Sequence, residues 1–296
     1  MKDKLFIGLS AAAMLVILTM LAVILGNIIW FGKDMLSWEF VSAKPTMGMT
    51  EGGIFPAIFG TVALVFLMTI AVMPAGVLTA VYLEEYARAD SKMVKIVQQA
   101  VANLAGVPSI VFGLFGLGFF VNFVGRGMDG LFFGSELHYG QPAIIWASAT
   151  LALLTLPVVI VTTSEALRAV PREIKEGGLA LGATRLQNLR RIIIPSALPG
   201  ILTGGILAVS RGAGEVAPIM FTGAAYFLPY LPTSPSDQFM ELGYHVYVMA
   251  TQSPDVEATK PILYSTVFVL LALTFLLNLL AIYLRARLRK RFAEGR

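Results

Sequence analysis

The chain has no cysteine, only two histidines and little charge: Asp, Glu, Lys and Arg together make up 14% of its 296 residues. Without cysteine there are no disulfides and no thiolate chemistry, and the redox state of the compartment leaves no mark on the sequence. His138 and His245 are far apart and have no metal-ligand spacing. Both are read as incidental residues of external loops, and no metal site or cofactor is expected. A soluble domain carries about a quarter of its residues as charges. The shortage here, with 57% hydrophobic residues and a mean hydropathy of +0.78, excludes a soluble globular protein. No half of the chain is polar, so residues 1–296 read as a single membrane domain.

Six stretches have the ~20 apolar residues that cross a bilayer: Leu5–Phe31, Ile58–Val81, Val101–Val124, Ile144–Thr163, Leu198–Phe221 and Ile262–Leu284. The expected fold is therefore all-α, a six-span helical bundle. The first stretch is too long for a signal-peptide core and no A-x-A-like site follows it, so it is read as a retained span. With the N-terminus inside, 17 Lys and Arg residues fall on the cytoplasmic side, four (Lys33, Lys44, Arg126, Lys260) fall outside, and Arg211 lies within a span. The positive-inside rule gives an N-in, C-in topology. Basic residues sorted in this way explain the pI of about 9.3 as topology, and no nucleic-acid partner is implied. Arg285–Arg291 anchors the last helix to anionic lipid.

The most polar internal segment is the cytoplasmic loop 164–195. Pro171 suits the first turn of a helix running to Ala180, and Gly182 suits its stop. Thr184 and Gln187 match a capping box that starts a second helix. In that helix Leu186, Leu189 and Ile193 share a face, Arg185, Arg190 and Arg191 reach water or a partner, and Pro195 ends it. From composition alone this helix-turn-helix could lie on anionic lipid. Gly177-x4-Gly182 has P-loop glycine spacing, but Ala183-Thr184 stands where Lys-Ser/Thr is required, so ATP hydrolysis by this chain is excluded.

Glu176-Gly177-Gly178, then Gly182 after three residues, then Ile192-Ile193-Ile194-Pro195 after nine more, resembles the Glu-Ala-Ala loop of type I ABC importer permeases. Gly177 and Gly178 replace the two alanines, and each should weaken the first helix by ~1 kcal/mol. Ile194 replaces a leucine. The resemblance implies that Glu176, Gly177, Gly182, Ala183, Thr184, Arg185 and Pro195 belong to a loop that docks on a separate cytoplasmic ATPase. Gly52–Thr61, Leu104–Leu114 and Arg211-Gly212-Ala213-Gly214-Glu215-Val216-Ala217-Pro218 are similar to the permeases of phosphate importers. The Ala217-Pro218 step and Phe221-Thr222-Gly223 resemble the PstA type more than the PstC type. That likeness implies a complex with a homologous PstC-like permease, two PstB-like ATPases and a PstS-like phosphate-binding protein, periplasmic or lipid-anchored.

Within the fifth span, Ser196, Gly200, Gly204, Ala208 and Gly212 recur every fourth residue. This ridge of small side chains is expected to pack closely on another helix, across a subunit interface or along the path. Arg211 is expected near the middle of that span, with Glu215 one helical turn on as its ion-pair partner. A mid-membrane arginine costs ~2.5–3.5 kcal/mol on insertion scales, and its planar fork of donors suits phosphate oxygens. Arg211 and Glu215 are thus the candidate residues of the substrate path. Glu84-Glu85-Tyr86 reads as a solvated helix end that touches the coupling loop, and Pro229–Pro235 as an irregular external loop facing the binding protein. Three rival readings remain: the same machine for sulfate, molybdate or phosphonate, an ion-coupled secondary transporter, and a non-transporting scaffold or sensor. Glu215 is the one carboxylate within the spans, which disfavours ion coupling. A midplane charge pair is of no use to a scaffold.

Overall fold

In a computed structural model, residues 2–46, 51–88, 90–134, 136–253 and 255–294 are described. Thirteen helices carry these residues. The helix α1 (Lys2–Gly32) is apolar all round and packs only near its end, where Ser265 Oγ donates to Gly32 O at 2.6 Å and Phe31 meets Tyr264. A short α2 (Trp38–Ser42) and a two-residue hairpin, β1 (Pro45–Thr46) with β2 (Glu51–Gly52), lead into α3 (Phe55–Val81). The chain then forms α4 (Lys92–Ala105), α5 (Ser109–Gly116), α6 (Arg126–Phe132), α7 (Ile144–Arg168), α8 (Arg172–Ala180), α9 (Arg185–Asn188), α10 (Ile194–Gly212), α11 (Ile219–Thr222), α12 (Leu242–Gln252) and α13 (Val256–Glu294). Three π-helical stretches link helices or extend them: Tyr82–Tyr86 after α3, Leu117–Gly125 between α5 and α6, and Leu189–Ile193 between α9 and α10.

Six segments are long and apolar enough to span: Lys4–Gly32, Phe55–Tyr86, Ser109–Phe132, Ile144–Arg168, Arg185–Gly212 and Val256–Leu288. These are the six expected spans with shifted boundaries, and two of the shifts bear on the site. The third span starts at Ser109, not Val101, because Pro108 is held extended (ψ 140) and divides it from α4. The helix α4 is amphipathic, with Val94 buried and Met93 and Ile96 exposed, and takes the residues assigned to the span's beginning. The fifth span is helical only to Gly212 and does not reach Phe221 as a helix.

At the centre α3, α7 and α10 pack around Leu64, Met68, Val72, Leu151, Val159 and Ala208. A second apolar cluster closes the basic end with Ala80, Leu167, Leu189, Ile193 and Ile201. A third closes the opposite end, where Phe40, Ile54, Met240, Leu242 and Met249 meet. The small-residue ridge closes within the chain: Gly200 lies on Ala166, Gly204 on Thr162 and Val159, and Gly212 on Met68. Its neighbours in this chain are α7 and α3, because side chains this small let α10 sink into its own bundle.

Candidate functional site

At the basic end, α8 and α9 form the helix-turn-helix. Pro171 sits at the N-cap of α8 (φ −55, ψ 142), one residue ahead of the helix. Gly182 ends the turn at φ +85, a backbone state that suits glycine. The capping box is present: Gln187 N donates to Thr184 Oγ1 at 3.3 Å, and Thr184 N donates to Gln187 Oε1 at 2.9 Å. Asn188 Nδ2 donates to Lys175 O at 2.8 Å and clamps α9 to α8. Gly178 lies directly beneath the Asn188 and Ile192 side chains, so it is a close-packing position as well as a weak helix former, whereas Gly177 faces open space.

Two expectations about this loop are corrected. Pro195 does not end the second helix; it lies in the first turn of α10, and the helical path runs unbroken from Arg185 to Gly212. The π turn at Leu189–Ile193 lets it do so, because an i→i+5 turn re-routes the carbonyls that a proline cannot serve. Leu186 does not share the buried face. Leu189 and Ile193 are buried while Leu186 is exposed, as are Arg185, Arg190 and Arg191. Leu181 at the loop tip is 91% exposed, and Leu179 beside it is also exposed. Glu176 and Thr184 are exposed, and Ala183 is half-buried.

The π turn at the inner end of α3 aims its two carboxylates at the loop. Arg168, in the last turn of α7, grips Glu84 with both arms, Nε to Oε2 at 2.8 Å and Nη2 to Oε1 at 2.7 Å. On α8, Lys175 Nζ donates to Glu85 Oε1 at 2.6 Å, with both side chains mostly buried. The sequence reading took these glutamates as solvated, and their partners were invisible because they lie 84 and 90 residues away.

The other polar feature lies deep in the bundle. Arg211 is in the last turn of α10, not mid-helix, and Glu215 lies beyond the helix end. Pro218 has no N–H for Gly214 O, which weakens a helix here, and the chain turns from Ala213 to Pro218 before α11. The ion pair survives the break, with Arg211 Nε 3.5 Å from Glu215 Oε1. The Arg211 side chain is 40% exposed and that of Glu215 20%. Gly212 sits against Met68, 13 residues or roughly 20 Å of helix from Phe55, so the break lies at mid-depth. Gly113 of α5 makes room for Ala217, Pro218 and Phe221. An unwound segment at this depth is tolerated where protein or a water-filled cavity covers it.

From Gly223 to Glu241 the chain covers the outer end. The carbonyls of Thr222, at the end of α11, and of Asp237 accept from Ala143 N and Ile144 N at 2.9 and 2.8 Å, capping α7. Within the external loop, the backbone N–H groups of Ser234 and Thr233 hold the Asp237 carboxylate below its ordinary pKa. Glu241 caps α12 by accepting from Tyr244 N at 2.7 Å and is fully buried. Thr61 Oγ1 accepts from Leu242 N at 3.0 Å and donates its one hydrogen to Ala57 O at 2.8 Å. Thr61 Oγ1 shares that hydrogen with Glu241 Oε1 at 3.4 Å. Burial pushes Glu241 up to about 7, against the Gly243 and Tyr244 N–H groups and Thr61, which pull it down. His245 is not an external loop residue. It is buried in α12, its ring nitrogens have no partner among the described residues, and burial pulls it down to about 4. The spacing of Leu242, His245, Val248 and Met249 was the available signal for a buried helix face here. Among the described residues no three metal-ligating side chains come together.

The family described as "binding-protein-dependent transport system inner membrane component" matches residues 73–293. The chain belongs to that family. It is a multi-pass inner-membrane permease, a non-catalytic subunit. A probable ABC transporter permease of Bacillus subtilis, YqgI, is 33% identical over 269 residues, covering 86% of each chain. A probable phosphate transport system permease, PstA, of Methanocaldococcus jannaschii is 31% identical and covers 86% of this permease and 84% of its own length. The phosphate transport system permease PstA of Pasteurella multocida is 34% identical over 75% of this permease and 74% of its own length. Among solved structures, a chain of a bacterial alginate ABC transporter, crystallised with an alginate pentasaccharide-bound periplasmic protein, matches with a TM-score of 0.72. It covers 98% of this permease and 96% of its own chain at 17% identity, which shows the type I importer fold.

Proposed function

We propose that this permease forms half of the translocation path of an ATP-driven phosphate importer. The observation that carries the reading is the exposed Arg211 guanidinium at the mid-depth break of the fifth span. Against lipid that group would cost several kcal/mol, so its open side faces water or a second subunit. A planar guanidinium there offers paired donors to a passing phosphate. Glu215 holds Arg211 in place and tempers its attraction, because a permeating ion must also leave. The relatives named as phosphate transport permeases support phosphate over sulfate, molybdate or phosphonate.

The partners follow from the two ends. Leu181, Leu179 and Leu186, ringed by Glu176, Arg185, Arg190 and Arg191, offer a cytoplasmic ATPase an apolar centre with a charged rim. A homologous permease covers the open Arg211 side, each permease engages one ATPase, and a phosphate-binding protein docks on the outer segment that includes Pro229–Pro235. The test is to tag the permease in cells expressing the whole operon, identify what co-purifies, and measure labelled phosphate uptake under competition. Capture of an ATPase, with uptake blocked by unlabelled phosphate alone, supports the reading. Displacement of the label by sulfate or molybdate keeps the coupling and overturns the substrate.

A further inference from the structure

The coupling helices are joined covalently to α7 and α10 only, yet α3 is also tied to them. Glu84 and Glu85 stand on consecutive residues of the π turn that ends α3. One is held by the bidentate Arg168 at the end of α7, the other by Lys175 on α8 itself. The Lys175–Glu85 bridge is mostly buried, with side-chain exposures of 22% and 15%, and is shielded from the screening that makes open surface pairs weak. In the other bridge Glu84 is mostly buried (12% exposed), whereas Arg168 is open to solvent (61%) but bidentate. A cavity lined by Glu85, Tyr86, Lys175, Arg185, Asn188 and Leu189 lies beside the Lys175–Glu85 bridge. Next to it Ala80, Val81 and Leu83 share an apolar cluster with Leu189 and Ile193, so the bridges add directional, charged contacts to an apolar one.

Along its length α3 touches each part of the broken span's surroundings. Met68 lies against Gly212 at the break, Gly60 lies under the backbone of Met240, and Thr61 accepts from Leu242 N beside buried Glu241. One continuous helical segment, Phe55–Tyr86, thus reaches from the coupling loop past the break beside the arginine to the outer segment.

We propose that Glu84 and Glu85 are positioning residues for transport: through Lys175 on α8 and Arg168 at the end of α7, where the chain enters the coupling helices, they tie α3 to that loop, so that its movement displaces α3 and with it the break at Arg211. This rests on the ATP-driven importer reading. The two bridges are not catalytic and touch no substrate. Without them, the ATPases would turn over against α7 and α10 while α3 lagged, and hydrolysis would continue with less transport.

The experiment uses the full complex, with its ATPases and binding protein, in proteoliposomes, and compares phosphate uptake per ATP hydrolysed. The variants are Glu85→Lys, Lys175→Glu and the exchanged pair Glu85→Lys/Lys175→Glu, with Glu84→Arg, Arg168→Glu and their exchanged pair alongside. Each single variant is expected to lower the uptake-to-ATP ratio about tenfold, within the range of site-to-site coupling, while ATPase still co-purifies. Each exchanged pair is expected to recover most of the ratio. A merely stabilising bridge would change yield and assembly and leave the ratio alone. An unchanged ratio in assembled single variants overturns the proposal. So does a ratio lost in the single variants and not recovered in the exchanged pairs, since that assigns the loss to each residue's separate contacts. If the wild-type complex shows no ATP-dependent uptake, the importer reading itself has failed, and the two failures are told apart.

Discussion

Replacing Arg211 by glutamine separates a substrate-path arginine from one that merely tolerates its site. The guanidinium sits at the end of α10 with one 3.5 Å contact to Glu215, and 40% of its side chain is open. The donors not directed at Glu215 are available to an anion on that side. Two charge-assisted hydrogen bonds to phosphate contribute ~1.5–3 kcal/mol each, and a neutral carboxamide returns ~1 kcal/mol. The net loss is about 3 kcal/mol, which at 1.4 kcal/mol per tenfold is a fall on the order of 100-fold in uptake. Arg211→Lys keeps the charge without the planar fork and should fall in between. The assay is initial-rate uptake of labelled phosphate, with ATPase capture measured on the same membranes. Capture should be unchanged, because Arg211 is 17 residues, or about 26 Å of helix, from Ile194. Uptake by Arg211→Gln within twofold of wild type would refute the role of the arginine and the inference that its open side faces the path.

Other changes test the remaining features. Leu181→Glu, at the most exposed apolar tip of the coupling loop, should leave the permease folded and weaken ATPase capture by ~10- to 100-fold, since burying one leucine is worth ~1.5–3 kcal/mol; equal capture would remove Leu181 from the interface. Gly177→Ala, in open space, should raise the thermal midpoint in detergent by a helix-propensity gain of ~1 kcal/mol. Gly178→Ala should lower it, because the new methyl displaces Asn188 from its bond to Lys175 O at a cost of ~1–3 kcal/mol. A midpoint rising equally in both would contradict the packing described for Asn188. The buried pair in α12 should give opposite pH slopes. Glu241, raised from 4.5 to about 7, contributes stability that is full below about 4.5 and is lost as pH rises through 7. His245, lowered from 6.5 to about 4, contributes stability that is full above about 6.5 and is lost as pH falls through 4. The slopes largely cancel between pH 4.5 and 6.5 in the wild type. Glu241→Gln should expose a loss of thermal stability on acidification, His245→Leu a loss on alkalinisation, and two flat profiles would show that neither group titrates as buried.

Composition and local spacing determined much of this protein. A 57% hydrophobic chain with six long runs has to be a membrane bundle, because nothing else buries so much apolar surface. The turn at Gly182 and the Thr184–Gln187 capping box were legible because their partners lie within a few residues. The Arg211–Glu215 pair was legible for the same reason, four positions apart. Features that depend on distant segments were not. The glutamates at 84 and 85 read as solvent-facing until Arg168 and Lys175 were brought to them, and His245 read as a loop residue until α12 was folded into the outer core. The ridge through Gly204 and Gly212 announced close packing, but only the folded bundle decided that its partners are α7 and α3 of the same chain. The end of the fifth helix at Gly212 needed both kinds of information. Pro218 removes one hydrogen bond locally, while Met68, Gly113 and the Phe221 ring provide the protein surroundings in which an unwound backbone at mid-depth can persist.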